Sequence, residues 1–486
     1  MESMVEILSG HASAQPNQIF AADAAGKEYT YKEAFRWVKI VAANLLNEFG
    51  IKEKDCIMVE CNQQADYLVV NFACELIGAI FVPVEEGASD ERKKTICGET
   101  DSVLWVYCSS ESIDSIKSVR YSELFTEGDP LEEFTFPDGG SIAQILYTTG
   151  TTGASKGIVI SNRANVALAE NIKYGVAMKP GNTELIPLPI SHSHGLRCCY
   201  ANLLNGGTVV LMDGLMKVKE AFRLIEKYKV TAMDISPSAA ALLIKLSKGA
   251  FWEYGRKLDY IQIGTAALPE NIKEQLLSEL TGVHLYNFYG STESGRSCVL
   301  DFSTNKGMQN CIGKPTKNST IVFTDDDRNI IEATKENPGL LASSGVMNMD
   351  CYWKNRQLTE EIQKDGYIYT NDLGYMDENG YVFVLGRKDD VINYNGIKIA
   401  PDEIEEVAKK YEGVADAACV PLKDALAGQV PKLFVQLSED KDFDMKGLNA
   451  FLTKHLDANK IPKRVEIIDK VPRTYNGKIQ RKKLVD

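Results

Sequence analysis

Residues 145–161, ILYTTGTTGASKGIVIS, set a loop rich in threonine and glycine between two apolar stretches. Glycines let successive backbone N–H groups converge on one anion, the hydroxyls of Thr148, Thr149, Thr151 and Thr152 add donors, and Lys156 adds a compact positive charge. A loop of this kind, running through Gly150 and Gly153 to Gly157, suits a polyphosphate, and so ATP or another nucleotide. It is not a Walker A loop. There the glycine, lysine and hydroxyl residue are adjacent, whereas Lys156 lies three residues past Gly153 and is followed by Gly157. A plain hairpin turn would also use Gly and Thr, but the density of both and the closing Lys-Gly favour the anion.

The apolar runs beside the loop imply two strands that hold it, and the same alternation recurs along the chain. The helix-like EAFRWVKIVAANLLNEF and KEAFRLIEKY are interleaved with the strand-like CIMVE, GTVVLM, VTAMDI and LDYIQIG, which predicts α/β layers with mostly parallel pairing up to about Val322. After Pro338 the texture changes. YIYTNDLGYMDENGYVFVLG reads as an antiparallel hairpin about an Asp-Glu-Asn-Gly turn. From Arg387 onward, IAPDEIEEVAKKY predicts a helix with Pro401 in its first turn, followed by a strand at LFVQL and a helix at KGLNAFLTKHL. The expected fold is α/β: a large N-terminal domain, 1–386, of layered, mostly parallel sheets with helices and a β-rich subdomain, then a small α+β C-terminal domain, 387–486.

A chain of 486 residues exceeds one ordinary core. Lys plus Arg total 54 against 67 for Asp plus Glu, a formal charge of −13, which argues against nucleic acid or an anionic membrane as main partner. Eleven cysteines without a C-x-x-C pair suit reduced thiols in a packed interior, and hence a cytoplasmic protein. The N-terminal MESMVEIL is acidic where a signal peptide is basic. In residues 67–84, YLVVNFACELIGAIFVPV, Asn71 and Glu75 interrupt the apolar run and Gly78 and Pro83 punctuate it, so a buried helix leading into a strand is expected rather than a transmembrane segment. His192 and His194 are two apart and cannot both face one metal from a helix, which argues against metal binding through histidine.

Five segments in fixed order carry a resemblance: YTTGTTGASKG, YNFYGSTESG, YIYTNDLGYMDENGYVFVLGRKDD, VINYNGIKIAPDEIEE and VPRTYNGKIQRKKL. Together they resemble the adenylate-forming superfamily of acyl- and aryl-CoA synthetases, adenylation domains and beetle luciferases, over nearly the whole chain. The resemblance implies activation of a carboxylic acid with Mg-ATP to an acyl-adenylate, then transfer of the acyl group to a thiol. A carboxylate is a poor electrophile because its oxygen leaves badly and its charge repels nucleophiles; joining it to AMP removes both obstacles. On this resemblance the Thr/Gly loop holds the β- and γ-phosphates, Tyr289 and Gly290 lie against the adenine, Thr292 contacts the α-phosphate and Glu293 binds Mg2+. Asp372 takes the ribose hydroxyls with Arg387 nearby, and Lys478 bridges the substrate carboxylate and the ribose-side oxygens.

The resemblance also implies two half-reactions separated by rotation of a mobile C-terminal domain, with Asp389 as hinge and Gly396 brought in to let a pantetheine arm approach. Without the resemblance, Asn395-Gly396 is equally a hairpin turn. LPISHSHGL resembles the substrate-side motif, where His192 either gates the acid or thiol path or is a satisfied interior histidine. Gly264, Thr265, Ala266 and Ala267 match the stretch lining the adenine and acyl pocket. Arg197 either meets a second carboxylate or polar tail of the acid, or is a surface or salt-bridged arginine.

Ser155, Leu340, Asn371 and Asn476 depart from the usual Pro, Glu, Gly and Ser or Thr of the family, and none removes a charge assigned to catalysis. CoA is the expected thiol co-substrate because the chain ends within ten residues of Lys478, with an acyl carrier protein the alternative partner. An idle nucleotide-binding homologue is disfavoured by the presence of Lys156, Glu293, Asp372, Arg387 and Lys478 together. Amino-acid activation is disfavoured because PISHSHGL has no aspartate beside it to hold an α-ammonium.

Overall fold

The computed structural model describes residues 1–108, 112–113, 116–149, 155–265, 268–395, 397–424, 426–438, 443–473 and 479–485, without the side chains of Thr149 and Ser155. Short apolar strands joined by helices pair in parallel, as the alternation predicts. One sheet runs parallel through Ile19–Asp23, Thr208–Leu211, Thr183–Ile186, Ala232–Ile235, Tyr260–Ile263 and His284–Ser291. A second runs parallel through Lys117–Arg120, Leu104–Tyr107, Cys56–Glu60, Ile80–Val84 and Ile142–Thr149, and closes with the antiparallel strands Ser155–Ser161 and Cys351–Tyr352.

Helices fill the space between the sheets. Ala65–Leu76 leads into Ile80–Val84 with every residue of both buried, so the most apolar stretch of the sequence is an internal layer. Among the described residues no helix is long and apolar enough to cross a membrane. Eight of the eleven cysteines are buried, in keeping with thiols in a packed interior.

Antiparallel pairing begins earlier than the sequence texture indicated. Gly295–Asp301 already folds back on His284–Ser291, and the sheet continues through Cys311–Pro315, Val382–Arg387, Tyr367–Met376, Gly339–Ser344 and Thr320–Thr324. Five-residue strands of mixed burial do not state their partner's direction in their own pattern. The Asp-Glu-Asn-Gly hairpin is present, with Met376 opposite Val382 and Gly380 at φ 79°.

The end of the chain builds a separate sheet from Ile392–Tyr394, Ile397–Ile399, Val414–Asp424, Gly428–Leu437 and Arg464–Ile468. Helices Pro401–Lys409 and Met445–His455 cover it, and Ile392, Ile404, Leu433, Leu448 and Leu452 form an apolar core of its own.

Glu75 is buried in the large core, where its carboxylate accepts from Met4 N at 2.8 Å and Val5 N at 3.2 Å at the start of the helix Met4–Ala14. Burial outweighs these two donors and raises its pKa to about 8. The folded protein therefore keeps a proton that the unfolded chain loses near its ordinary pKa. This contribution to stability is full below that value and is lost as pH rises toward about 8, by roughly 1.4 kcal/mol per pH unit. Thermal unfolding from pH 5 to 8 is expected to show a smaller loss of stability in Glu75→Gln than in the parent; an unchanged slope would refute the protonated state. Glu184 and Glu405, each raised to about 7 by burial, act in the same sense in both proteins.

Candidate active site

The Thr/Gly loop is held at both ends by a hairpin ladder in which Tyr147 faces Gly157 and Thr148 faces Lys156. A Cβ at Gly157 would lie 3.0–3.1 Å from side-chain atoms of Ile145, Tyr147 and Trp353, so a larger residue there would need these neighbours to shift by a few tenths of an ångström. Gly150, Thr151, Thr152 and Gly153 lie outside the described residues. The Lys156 ammonium sits 5.6 Å from the centre of the Tyr352 ring, and the Tyr352 hydroxyl donates to Glu293 Oε1 at 2.8 Å. Tyr352 thus places the cation of one segment and the carboxylate of another on a single wall. Sequence reasoning missed it, since a tyrosine in MNMDCYW carries no local signal.

The YGSTE turn connects His284–Ser291 to Gly295–Asp301. A Cβ at Gly290 would lie 1.8 Å from the Gly295 carbonyl, so position 290 excludes every larger residue. Thr292 Oγ1 is 3.1 Å from Ser193 Oγ, at the start of the helix Ser193–Asn205. Arg197, on the same helix, donates to the carbonyls of Ser291 at 3.2 Å and Thr292 at 2.9 Å. It is 3% exposed, which rules out the surface reading of this arginine.

Tyr289 donates its hydroxyl to Asp372, and Arg387 lies opposite Asp372 in the ladder with its Nε 3.7 Å from Oδ1. Asn371 has φ 63°, a left-handed conformation that glycine favours and asparagine tolerates, so the backbone here accepts this departure from the family pattern. Leu340 pairs with Leu373, one residue from Asp372, so that departure sits in the sheet rather than in a loop. Asn476 lies outside the described residues and Ser155 is seen only through its backbone.

His192 is exposed at the N-cap of its helix and makes no side-chain cap hydrogen bond. The satisfied interior histidine is its neighbour His194, whose ring packs on Gly264 and whose Nε2 lies 2.9 Å from Asp234. Asp234 also accepts from Cys198 Sγ at 2.6 Å and lies 3.6 Å from Arg296. An aspartate therefore does reach the LPISHSHGL motif, from a distant strand, but it is wholly buried and fully engaged. His194, Cys198 and Asp234 place their donor atoms within 4.8 Å of one another, yet the Arg296 guanidinium, 2.9 Å from Cys198 Sγ, already supplies the positive charge there. Burial and Arg296 lower the His194 pKa and favour the neutral ring.

Thr265, next to Gly264, has φ 75°, a strained conformation for a β-branched residue, and its buried hydroxyl has no hydrogen-bond partner among the described residues. Ala266 lies outside the described residues.

Gly396 and Lys478 are likewise outside the described residues. The chain on either side of residues 474–478 is firmly anchored. Arg473 makes a two-pronged contact with Asp416 at 2.8–2.9 Å and forms an isolated antiparallel bridge with Ile479. Arg481 reaches Asp402 at 2.5 Å, Glu405 at 2.8 Å and the Cys419 carbonyl at 3.1 Å, and lies 3.7 Å from Asp390. Asp389 is exposed in the turn beside Asp390, where the Arg387 carbonyl accepts from Asp390 N and Val391 N at 2.9 Å.

Residues 8–353 match the AMP-binding enzyme family model, and residues 403–478 match its C-terminal domain model. The chain is 25% identical to 4-coumarate–CoA ligase 3 of Arabidopsis thaliana, covering 94% of this chain and 86% of that protein. It is 28% identical to the 2-succinylbenzoate–CoA ligase of Listeria monocytogenes, covering 94% of each. The o-succinylbenzoate CoA synthetase of Bacillus subtilis with the acyl-adenylate OSB-AMP superposes with a TM-score of 0.85 at 24% identity, over 99% of this chain and 98% of that one, which shows the shared fold. With a family model spanning well over half of its length and a second one on its C-terminal part, the chain belongs to the AMP-binding enzyme family.

Proposed function

We propose that the protein is an ATP-dependent carboxylic acid:CoA ligase that forms an acyl-adenylate, releases pyrophosphate, and passes the acyl group to CoA with release of AMP. The observation that carries this reading is the convergence of sequence-distant groups: Lys156 and Glu293 meet through Tyr352, and Tyr289 joins Asp372. A cation, a carboxylate, an aromatic ring and a two-oxygen acceptor are what a polyphosphate, its metal, an adenine and a ribose require. CoA ligases among the relatives support the choice of thiol.

In this reading Lys156 and the Thr/Gly loop hold the β- and γ-phosphates while Thr292 faces the α-phosphate. Asp372 and Arg387 orient the ribose, and Tyr289 sets the adenine side. Glu293 suits Mg2+ because, among the described residues, its carboxylate takes a neutral hydroxyl from Tyr352 rather than an ion pair; the metal would neutralise phosphate charge. Lys478 offsets the repulsion between acid and α-phosphate as they are forced together, which is stabilisation of the transition state. Residues 387–486 then turn about Asp389 to exchange Lys478 for the segment carrying Gly396, opening the path for the pantetheine thiol.

Purified protein with Mg-ATP and a panel of acids is expected to release pyrophosphate, with an acyl-CoA detected by mass when CoA is present. Pyrophosphate without acyl-CoA would transfer the second step to a carrier-protein thiol. Silence with every acid, despite ATP binding, would refute the ligase reading.

A further inference from the structure

Arg197 lies on the same face of its helix as Ser193 and His194, because residues three and four apart line up. Its hydrogen-bond partners among the described residues are the carbonyls of Ser291 and Thr292, neither of which carries a charge. Its Nε is buried and has no hydrogen-bond partner among the described residues. The surrounding groups are matched without it. Asp234 is paired with Arg296 and accepts from His194 and Cys198. Glu184 accepts from Asn202 at 2.6 Å, Gln262 at 2.5 Å and Tyr260 at 3.2 Å. Burial and the field of Arg296 lower the Arg197 pKa, and Glu293, which in the reading above serves the metal, opposes them.

Among the described residues the Arg197 guanidinium, buried beside the Thr292 turn, forms no ion pair of its own. A buried charge without an opposite one is strongly unfavourable, so the site is built to receive an anion from outside the chain. A guanidinium whose Nε remains free presents the edge that takes a carboxylate through two parallel hydrogen bonds. The carboxylate being activated is already answered by Lys478 in the reading above, which leaves Arg197 for another.

We infer that Arg197 forms a subsite for a second negative charge on the acid, and that the preferred substrates are dicarboxylic acids. This inference rests on the ligase reading. The test compares pyrophosphate release for malonate, succinate, glutarate, adipate and phthalate with that for their monomethyl esters, which keep the length and lose one charge.

For the best diacid, kcat/KM is expected to exceed that of its half-ester by about a hundredfold, the scale of a buried charge-assisted pair. Arg197→Gln is expected to bring the two to near parity. Half-esters turned over as well as or better than every diacid would overturn the inference and leave the ligase reading standing. So would an Arg197→Gln protein that slows diacid and half-ester alike, since that is the signature of a residue that only holds the Ser291–Thr292 turn. The parent's preference decides the matter even if the variant fails to fold, and absence of pyrophosphate with any acid removes the ligase reading and this subsite together.

Discussion

Replacing Lys478 by alanine is expected to lower pyrophosphate release by about a hundred- to a thousandfold, while thioester formation from supplied acyl-adenylate continues at close to the parent rate. An ammonium between two anions acts mainly where they are pressed together, so its removal raises the barrier to adenylation more than it weakens the binding of either substrate. The second half-reaction has no such meeting of carboxylate and phosphate. Arg473 and Arg481 anchor the flanking chain through Asp416, Asp402 and Glu405, so alanine at 478 leaves these contacts in place. The two half-reactions are to be measured separately, as pyrophosphate release and as acyl-CoA made from added adenylate. Equal losses in both would refute the assignment of Lys478 to the first step and with it the exchange of faces by residues 387–486.

Glu293→Gln is expected to cost about a hundredfold in pyrophosphate release and to raise the Mg2+ concentration needed for half-maximal rate. The amide keeps the shape of the carboxylate and can still accept from the Tyr352 hydroxyl, so packing on that wall is preserved. What it loses is the negative charge that holds a hard cation beside the phosphates. Chelation of divalent cations is expected to stop the parent enzyme, with activity restored by added Mg2+. A variant with a lower rate but an unshifted Mg2+ dependence would show that Glu293 serves the turn rather than the metal.

The order of helices and strands was legible because hydrophobic period is a local property. The buried layer at Ala65–Leu76 and Ile80–Val84, the Tyr367–Met376 and Val382–Arg387 hairpin, and the helix beginning at Pro401 all follow from residues within a turn or two of one another. The direction of pairing after Ser291 was not legible, because the strand opposite lies elsewhere in the chain and short strands look alike in either orientation. Asn371 shows the same limit from another side. The sequence shows only that an asparagine stands where glycine is usual, and the φ of 63° shows a backbone that asparagine tolerates.

The sequence by itself determined which chemical groups this protein brings to a reaction and which family it joins, since a Thr/Gly loop with its lysine, the YGSTE carboxylate and the NGK lysine are each complete within a few consecutive residues. Only the tertiary structure decided which of those groups share a wall and what stands behind them. Tyr352 meets Glu293 across 59 positions, His194 meets Asp234 across 40, and Arg197 meets the Thr292 carbonyl across 95. Whether an arginine is solvated, paired or held buried with a free edge depends on charges that arrive from other strands, and no spacing along the chain encodes that.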